Sequence, residues 1–239
     1  MITRKRKKYK FALFHNSPLC YEADAWRTLH TESVVILQGQ TLQRWWDADV
    51  LEVGAGNGKF AVEFATRHPE LMHVALDVKG DRLQQGARLA EERGLQNIRF
   101  LRARADQIDE LFKPHSLSAV WVTFPDPFPK KRSAARRLTH PNFLKKYSHI
   151  LKGATLNRED KLSDGENALS GGLFLKHDNR DFFCWSLEQL VAEKWRILEL
   201  SFDLHDSELH DDYRIQTTYE QKWLAEGLKT NFVRATYED

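Results

Sequence analysis

A chain of 239 residues with 41% apolar content is long enough to bury one full-sized core, which argues against wholesale disorder and against fibrous classes. No apolar run nears the roughly 20 residues that span a bilayer, the opening is basic rather than a secretory leader, and two cysteines, Cys20 and Cys184, make neither a disulfide framework nor a zinc motif. The formal charge of +2 conceals two basic blocks: residues 4–10 hold six Lys and Arg, residues 130–146 hold seven, and the remaining 23 face 34 Asp and Glu. A soluble cytoplasmic protein with a polyanionic partner is the expectation.

In chain order, residues 1–48 read as a basic N-terminal arm followed by a partly helical extension rich in Trp and Leu. The basic run is either an arm that holds RNA or a disordered tail. From residue 49 to 239, short apolar runs alternate with amphipathic stretches, the pattern of βαβ units. Strands are expected at Val50–Val53, His73–Val78, Ile98–Arg102, Ala119–Phe124, Leu173–Lys176, Arg196–Phe202 and Asn231–Tyr237. Helices are expected at Lys59–Arg67, from after the second strand to about Arg93, at Pro141–Leu151 with proline in the first turn, and at Asp181–Lys194. This predicts an α/β fold: a doubly wound, Rossmann-like sheet, mostly parallel with one late antiparallel strand and helices on both faces. Residues 153–171 are polar and longer than the usual connection of roughly 2–6 residues, so they read as an inserted loop.

The first expected strand runs into Gly54, Gly56 and Gly58, where a ligand can approach backbone without meeting a Cβ. The third glycine of the dinucleotide pattern would fall at Lys59, which favours the shorter methyltransferase loop over a pyrophosphate fingerprint. Asp77 ends the second strand, 19 residues after Gly58, where an acid can accept bonds from the hydroxyls of an adenosine ribose. Asp106 follows the third strand and can accept from an adenine amino group. Glu52, one residue before the first strand ends, can face a methionine ammonium. Any one of these acids alone is more often a surface or capping residue. Together they occupy the carboxyl edge, where open α/β sheets bind ligands.

After the fourth strand, Pro125, Pro127 and Pro129 stiffen a loop around Asp126. Phe124 and Phe128 can wall a planar base. Lys130, Lys131, Arg132, Arg136 and Arg137 follow directly, which places substrate phosphates beside the reacting atom and favours nucleic acid over a free metabolite.

Pro125-Asp126-Pro127-Phe128-Pro129-Lys130-Lys131-Arg132, then Arg136-Arg137-Leu138, resembles the signature of the tRNA (guanine-N7)-methyltransferases. Lys176-His177-Asp178-Asn179 and Thr217-Thr218-Tyr219-Glu220 resemble it too, in the family's order. The resemblance implies transfer of a methyl group from S-adenosylmethionine to guanosine N7 in tRNA, in the variable loop. It implies cofactor contacts at Glu52, Gly54, Gly56, Gly58, Asp77, Asp106 and Asp126, with Asp126 also catalytic. By the same resemblance Lys130, Asp178, Thr217, Thr218, Tyr219 and Glu220 contact the guanosine, and Arg132, Arg136 and Arg137 contact RNA backbone. Phe128 stands where the family usually has Trp, Asp77 where Glu is frequent, and His177 where Thr is common.

Other signals carry less. His205, Asp206, Glu208, His210, Asp211 and Asp212 match no standard metal spacing and read as a polar loop, so no metal is expected. Trp45, Trp46, Trp185, Trp195 and Trp223 read as packing. Competing functions are a non-catalytic RNA-binding module, a methyltransferase for another RNA base, and a small-molecule methyltransferase. An RNA substrate makes log affinity fall with log salt by roughly 0.7–0.9 per phosphate contact; a small neutral substrate does not. Monomer and homodimer both remain open.

Overall fold

The computed structural model describes residues 12–31, 36–37, 40–41, 48–153 and 172–237. The basic run at 4–10, Trp45, Trp46 and most of the 153–171 insertion lie outside the described residues.

Eight strands form one sheet. In chain order they are β1 (Cys20–Glu22), β4 (Val50–Val53), β5 (His73–Asp77), β6 (Ile98–Arg102), β7 (Ala119–Thr123), β8 (Gly172–His177), β9 (Arg196–Ser201) and β10 (Asn231–Thr236). A separate antiparallel pair joins β2 (Ile36–Leu37) to β3 (Gln40–Thr41). The spatial order in the large sheet is β1-β6-β5-β4-β7-β8-β10-β9. β10 lies antiparallel between β8 and β9, while the neighbours from β1 to β8 are parallel. The expected mostly parallel sheet with one late antiparallel strand is the fold observed.

Among the described helices are α1 (Ala23–Thr31), α2 (Lys59–Arg67), α3 (Gly80–Glu92), α4 (Ile108–Leu111), α5 (Pro141–Ile150), α6 (Arg180–Ala192) and α7 (Thr218–Ala225). They cover both faces, so the central strands read as continuous apolar runs rather than alternating ones. The pleat still sorts them. Val120 and Val122 of β7 face Leu144 and Tyr147 of α5 and Phe182 of α6. Ala119 and Trp121 face Phe60 and Phe64 of α2. Trp121 stacks on Phe174 at 4.4 Å between centroids, and Tyr213 stacks on Phe232 at 4.6 Å.

Residues before 48 are not all appendage. β1 pairs with β6, extending the sheet by an outermost strand, and Phe14, Leu19 and Trp26 are buried in its core. Trp26 donates its indole N–H to the Leu111 carbonyl at 2.9 Å. Nothing in a three-residue strand of mixed polarity announces this, because an edge strand needs only its backbone and a neighbour.

The strand ends converge on one edge: Val53, Asp77, Arg102 and Thr123 all lead into loops there, as does His177. No described helix is long and apolar enough to cross a membrane, and among the described residues no group of three or more His, Cys, Asp or Glu is placed to hold a metal ion.

Gly58 shows how tightly the first loop is built into this frame. Its φ is +68°, and a Cβ there would lie 2.6 Å from Phe100 Cε1 on β6. Gly58→Ala therefore combines left-handed strain with a core clash and is expected to cost about 2–4 kcal/mol, read as a lowered midpoint in urea unfolding.

Candidate active site

Gly54, Gly56 and Gly58 all adopt positive φ, between 59° and 78°, so the loop after β4 turns in a way that side-chain-bearing residues resist. The reason differs along the loop. At Gly58 the neighbour is the core; at Gly56 a Cβ would meet nothing within 4 Å, and the space stays open toward the sheet edge. Asp77 ties this loop to β5. Its Oδ2 accepts from the Gly56 amide at 2.9 Å and its Oδ1 from the Lys79 amide at 2.8 Å. Val78, the next residue, is 52% exposed, an apolar face beside the acid that sequence reasoning passed over. Asp106 lies in the short 3-10 turn after β6, where both oxygens take bonds from Arg104. Arg104 holds its carboxyl below the ordinary range.

Glu52 departs from the expectation that it faces an open methionine site. It is 2% exposed, Thr123 donates to its Oε1 at 2.6 Å, and Oε2 has no partner. Burial pushes its carboxyl up to about 8. It lines a small internal cavity with Phe60, Phe64 and His73.

The loop after β7 is held from both sides. Phe124 donates its amide to the Lys176 carbonyl at 2.9 Å, and His177 Nε2 donates to the Pro125 carbonyl at 2.8 Å. His177 Nδ1 accepts from the Asn179 amide at 2.8 Å, so the ring is neutral, in keeping with a pKa lowered by burial. Arg137 donates to the carbonyls of Pro127 and Phe128 at 3.0 and 3.2 Å. Phe124 and Phe128 sit at φ 49° and 40°. Each such left-handed residue costs about 1–3 kcal/mol and persists where surrounding contacts determine it. Between them Asp126 is exposed at the sheet edge.

The motif after β8 divides its labour. Lys176 is fully buried, His177 grips the loop, Asp178 stays half-buried at the edge, and Asn179 caps α6 by accepting from the Phe182 amide at 2.8 Å. Lys176 Nζ donates to Glu220 Oε2 at 2.7 Å and to the Ile215 carbonyl at 2.8 Å. Glu220 is itself 0% exposed, and its Oε1 accepts from His205 at 2.9 Å and Thr230 at 3.2 Å. Burial alone would raise this carboxyl, but the His205, Lys176 and Thr217 donors hold it below the ordinary range.

Glu220 therefore does not present itself to a guanosine as expected. With Thr217 it forms a capping box that starts α7. The box turns the two intervening residues outward: Thr218 accepts from the Asn57 side chain of the glycine loop at 3.0 Å, and Tyr219 is 52% exposed. His205, discounted as part of a polar loop, is thereby a partner of the site, while Asp212 is engaged elsewhere by Arg67 and His68 at 3.0 and 2.8 Å.

Lys130, Lys131, Arg132 and Arg136 are exposed, the last three on a 3-10 turn spanning Lys131–Arg136. Arg137 is half-buried and its guanidinium faces loop carbonyls, which departs from an RNA backbone contact.

Residues 47–233 match the family model Methyltransf_4, described as "Putative methyltransferase". A tRNA (guanine-N(7)-)-methyltransferase of Mycoplasmopsis agalactiae is 36% identical over 217 residues, covering 91% of this chain and 97% of that one. The chain belongs to the tRNA (guanine-N7)-methyltransferase family. A second relative of the same name, from Brevibacillus brevis, is 33% identical over 78% of this chain and 79% of its own. Among solved structures the 16S rRNA methyltransferase KamB superposes with a TM-score of 0.58 at 14% identity, covering 87% of this chain and 96% of that one. A 16S rRNA (adenine(1408)-N(1))-methyltransferase from Catenulisporales acidiphilia reaches 0.53 at 13% identity over 92% and 93% of the two chains. At such identity these two speak for the fold alone.

Two outcomes follow from the buried charges. Between the ordinary glutamate value, about 4.3, and about 8 at Glu52, the folded state binds a proton that the unfolded chain releases. Stability therefore falls as pH rises through that window. Glu52→Gln is expected to remove this fall, raising the thermal midpoint at pH 8 and not at pH 4. Glu220→Gln leaves the Lys176 ammonium buried beside a neutral partner and is expected to cost about 3–5 kcal/mol. Exposed Tyr219→Ala should stay within about 0.5 kcal/mol in the same denaturation assay.

Proposed function

We propose that this protein transfers a methyl group from S-adenosylmethionine to N7 of a guanosine in tRNA, with the target in the variable loop. The observation that carries the reading is the Phe124–Lys130 loop. It holds exposed Asp126 at the carboxyl edge of the sheet, between the glycine loop and the basic turn.

The residues present fit the cofactor. Open space over Gly56 admits a ligand close to backbone, Asp77 stands at the strand end where a ribose is met, and exposed Val78 offers an apolar face for adenine. Asp77 and Asp106 are the carboxylates assigned to the adenosine end, and Gly54, Gly56 and Gly58 shape the loop. Glu52 supports that loop from behind. When bound, S-adenosylmethionine supplies a methyl group made electrophilic by its sulfonium.

Guanine N7 already carries an in-plane lone pair, so no base has to remove a proton before attack. The chain's task is alignment and electrostatics. Asp126 and Asp178 offer negative charge where positive charge arrives on the purine. Lys130, Thr218 and Tyr219 are assigned to the guanosine, with Thr217 and Glu220 holding that segment in place. Lys131, Arg132 and Arg136 are assigned to phosphates, which fix the substrate without reading bases. Residues 49–239 are assigned to the catalytic domain, with β1 and α1 packed onto it.

Incubation of unmodified bulk tRNA with labelled cofactor, followed by nucleoside mass analysis, is expected to yield 7-methylguanosine. Asp126→Ala is expected to abolish turnover while cofactor affinity stays within a few fold. RNA binding without label transfer would instead favour a non-catalytic binding module, and a different methylated base would overturn the substrate. Near-normal turnover in the Asp126 variant would sink its catalytic assignment.

A further inference from the structure

The three prolines that stiffen the active loop create a second problem. Residues 125–129 carry only two amides, those of Asp126 and Phe128, so the loop cannot satisfy its own carbonyls. Donors must come from elsewhere. On the N-terminal side His177 supplies one, to the Pro125 carbonyl. On the C-terminal side Arg137 supplies two, to the Pro127 carbonyl at 3.0 Å and the Phe128 carbonyl at 3.2 Å. The guanidinium that does this lies over the Trp185 ring on α6, 4.2 Å from its centroid. α6 is a rigid base for it, pinned to the same stretch by a buried 2.7 Å bond between Thr139 and Ser186.

We infer that Arg137 is a positioning residue that clamps the Asp126 loop against Trp185, and not a contact for the RNA backbone. This rests on the reading of that loop as the reacting one. Neighbouring Arg136 makes the contrast: it is exposed, with its guanidinium over the Phe128 ring at 4.4 Å and no loop carbonyl as partner. The two arginines of one motif thus face opposite ways. Arg132 and Arg136 are exposed, and Arg137 looks inward. Arginine suits the inward site because its planar fork can donate to two carbonyls while its face packs on indole; a lysine ammonium, a point charge with no planar face, cannot hold both contacts in that geometry.

The test compares Arg137→Lys, Trp185→Leu and, as a phosphate-contact reference, Arg132→Ala. Three quantities are read: single-turnover methyl transfer to tRNA at saturation, the salt dependence of tRNA affinity, and backbone order parameters at Asp126 and Phe128 by NMR. Arg137→Lys is expected to slow transfer by about 10–100-fold, as misplacement of a reacting group does. It should leave the salt slope unchanged and lower the order parameters of both amides, with Trp185→Leu moving in the same directions. Arg132→Ala should instead reduce the slope by about 0.7–0.9. If Arg137→Lys lowers the slope by that amount, or leaves the order parameters at Asp126 and Phe128 unchanged, the clamp is overturned. A wild-type protein that transfers no methyl to tRNA would refute the functional reading alone, since the order parameters still decide whether Arg137 holds the loop.

Discussion

Lys176 joins the two halves of the site through two different atoms. Its carbonyl accepts the Phe124 amide that begins the proline loop, and its ammonium reaches Glu220 at the start of α7. An ammonium with no exposure to water cannot stay charged without a partner, and a carboxylate beside it lowers the cost only where further donors complete its shell. His205, Thr217 and Thr230 complete it here. β8 is thereby locked to the 205–230 segment in one arrangement, and a register error between them would strand the Lys176 or Glu220 charge.

From that anchor the rest of the edge follows. The capping box at Thr217 and Glu220 sets where α7 begins, which brings Thr218 to Asn57 and so ties the start of α7 to the glycine loop. Asp77 grips the same loop from β5. Across the strand, His177 and Arg137 hold the proline loop by its carbonyls. Each anchor is a positioned side chain on a strand or helix acting on irregular backbone, the arrangement by which a rigid scaffold keeps a reactive group in a narrow range of poses. The two left-handed phenylalanines are the strain that these bonds contain.

Much of this was legible in the residues. Strands Val50–Val53 and Ile98–Arg102 and helix Lys59–Arg67 have the bounds expected from apolar runs and glycine punctuation. Parallel strands buried on both faces are unmistakable runs, and the acids that follow them fall at the edge that topology reserves for ligands. β1 was not legible, because a three-residue edge strand carries no periodic signal. Nor was the division of roles within the motifs. Glu52, Glu220 and Arg137 were expected to face ligands, and the fold turns all three inward.

What the sequence determined by itself is the layout: which segments pair as strands, which loops reach the carboxyl edge, and which family the motifs belong to. These depend on local patterning, and local patterning is written residue by residue. What only the tertiary structure decided is which charged side chains of the motifs stay exposed at the edge and which are buried holding the others in place. A carboxylate or guanidinium looks the same in a sequence whether water or a buried partner surrounds it. Only the packing of β8, α6 and α7 sets that surrounding, and with it the burial of Glu220 and the inward turn of Arg137.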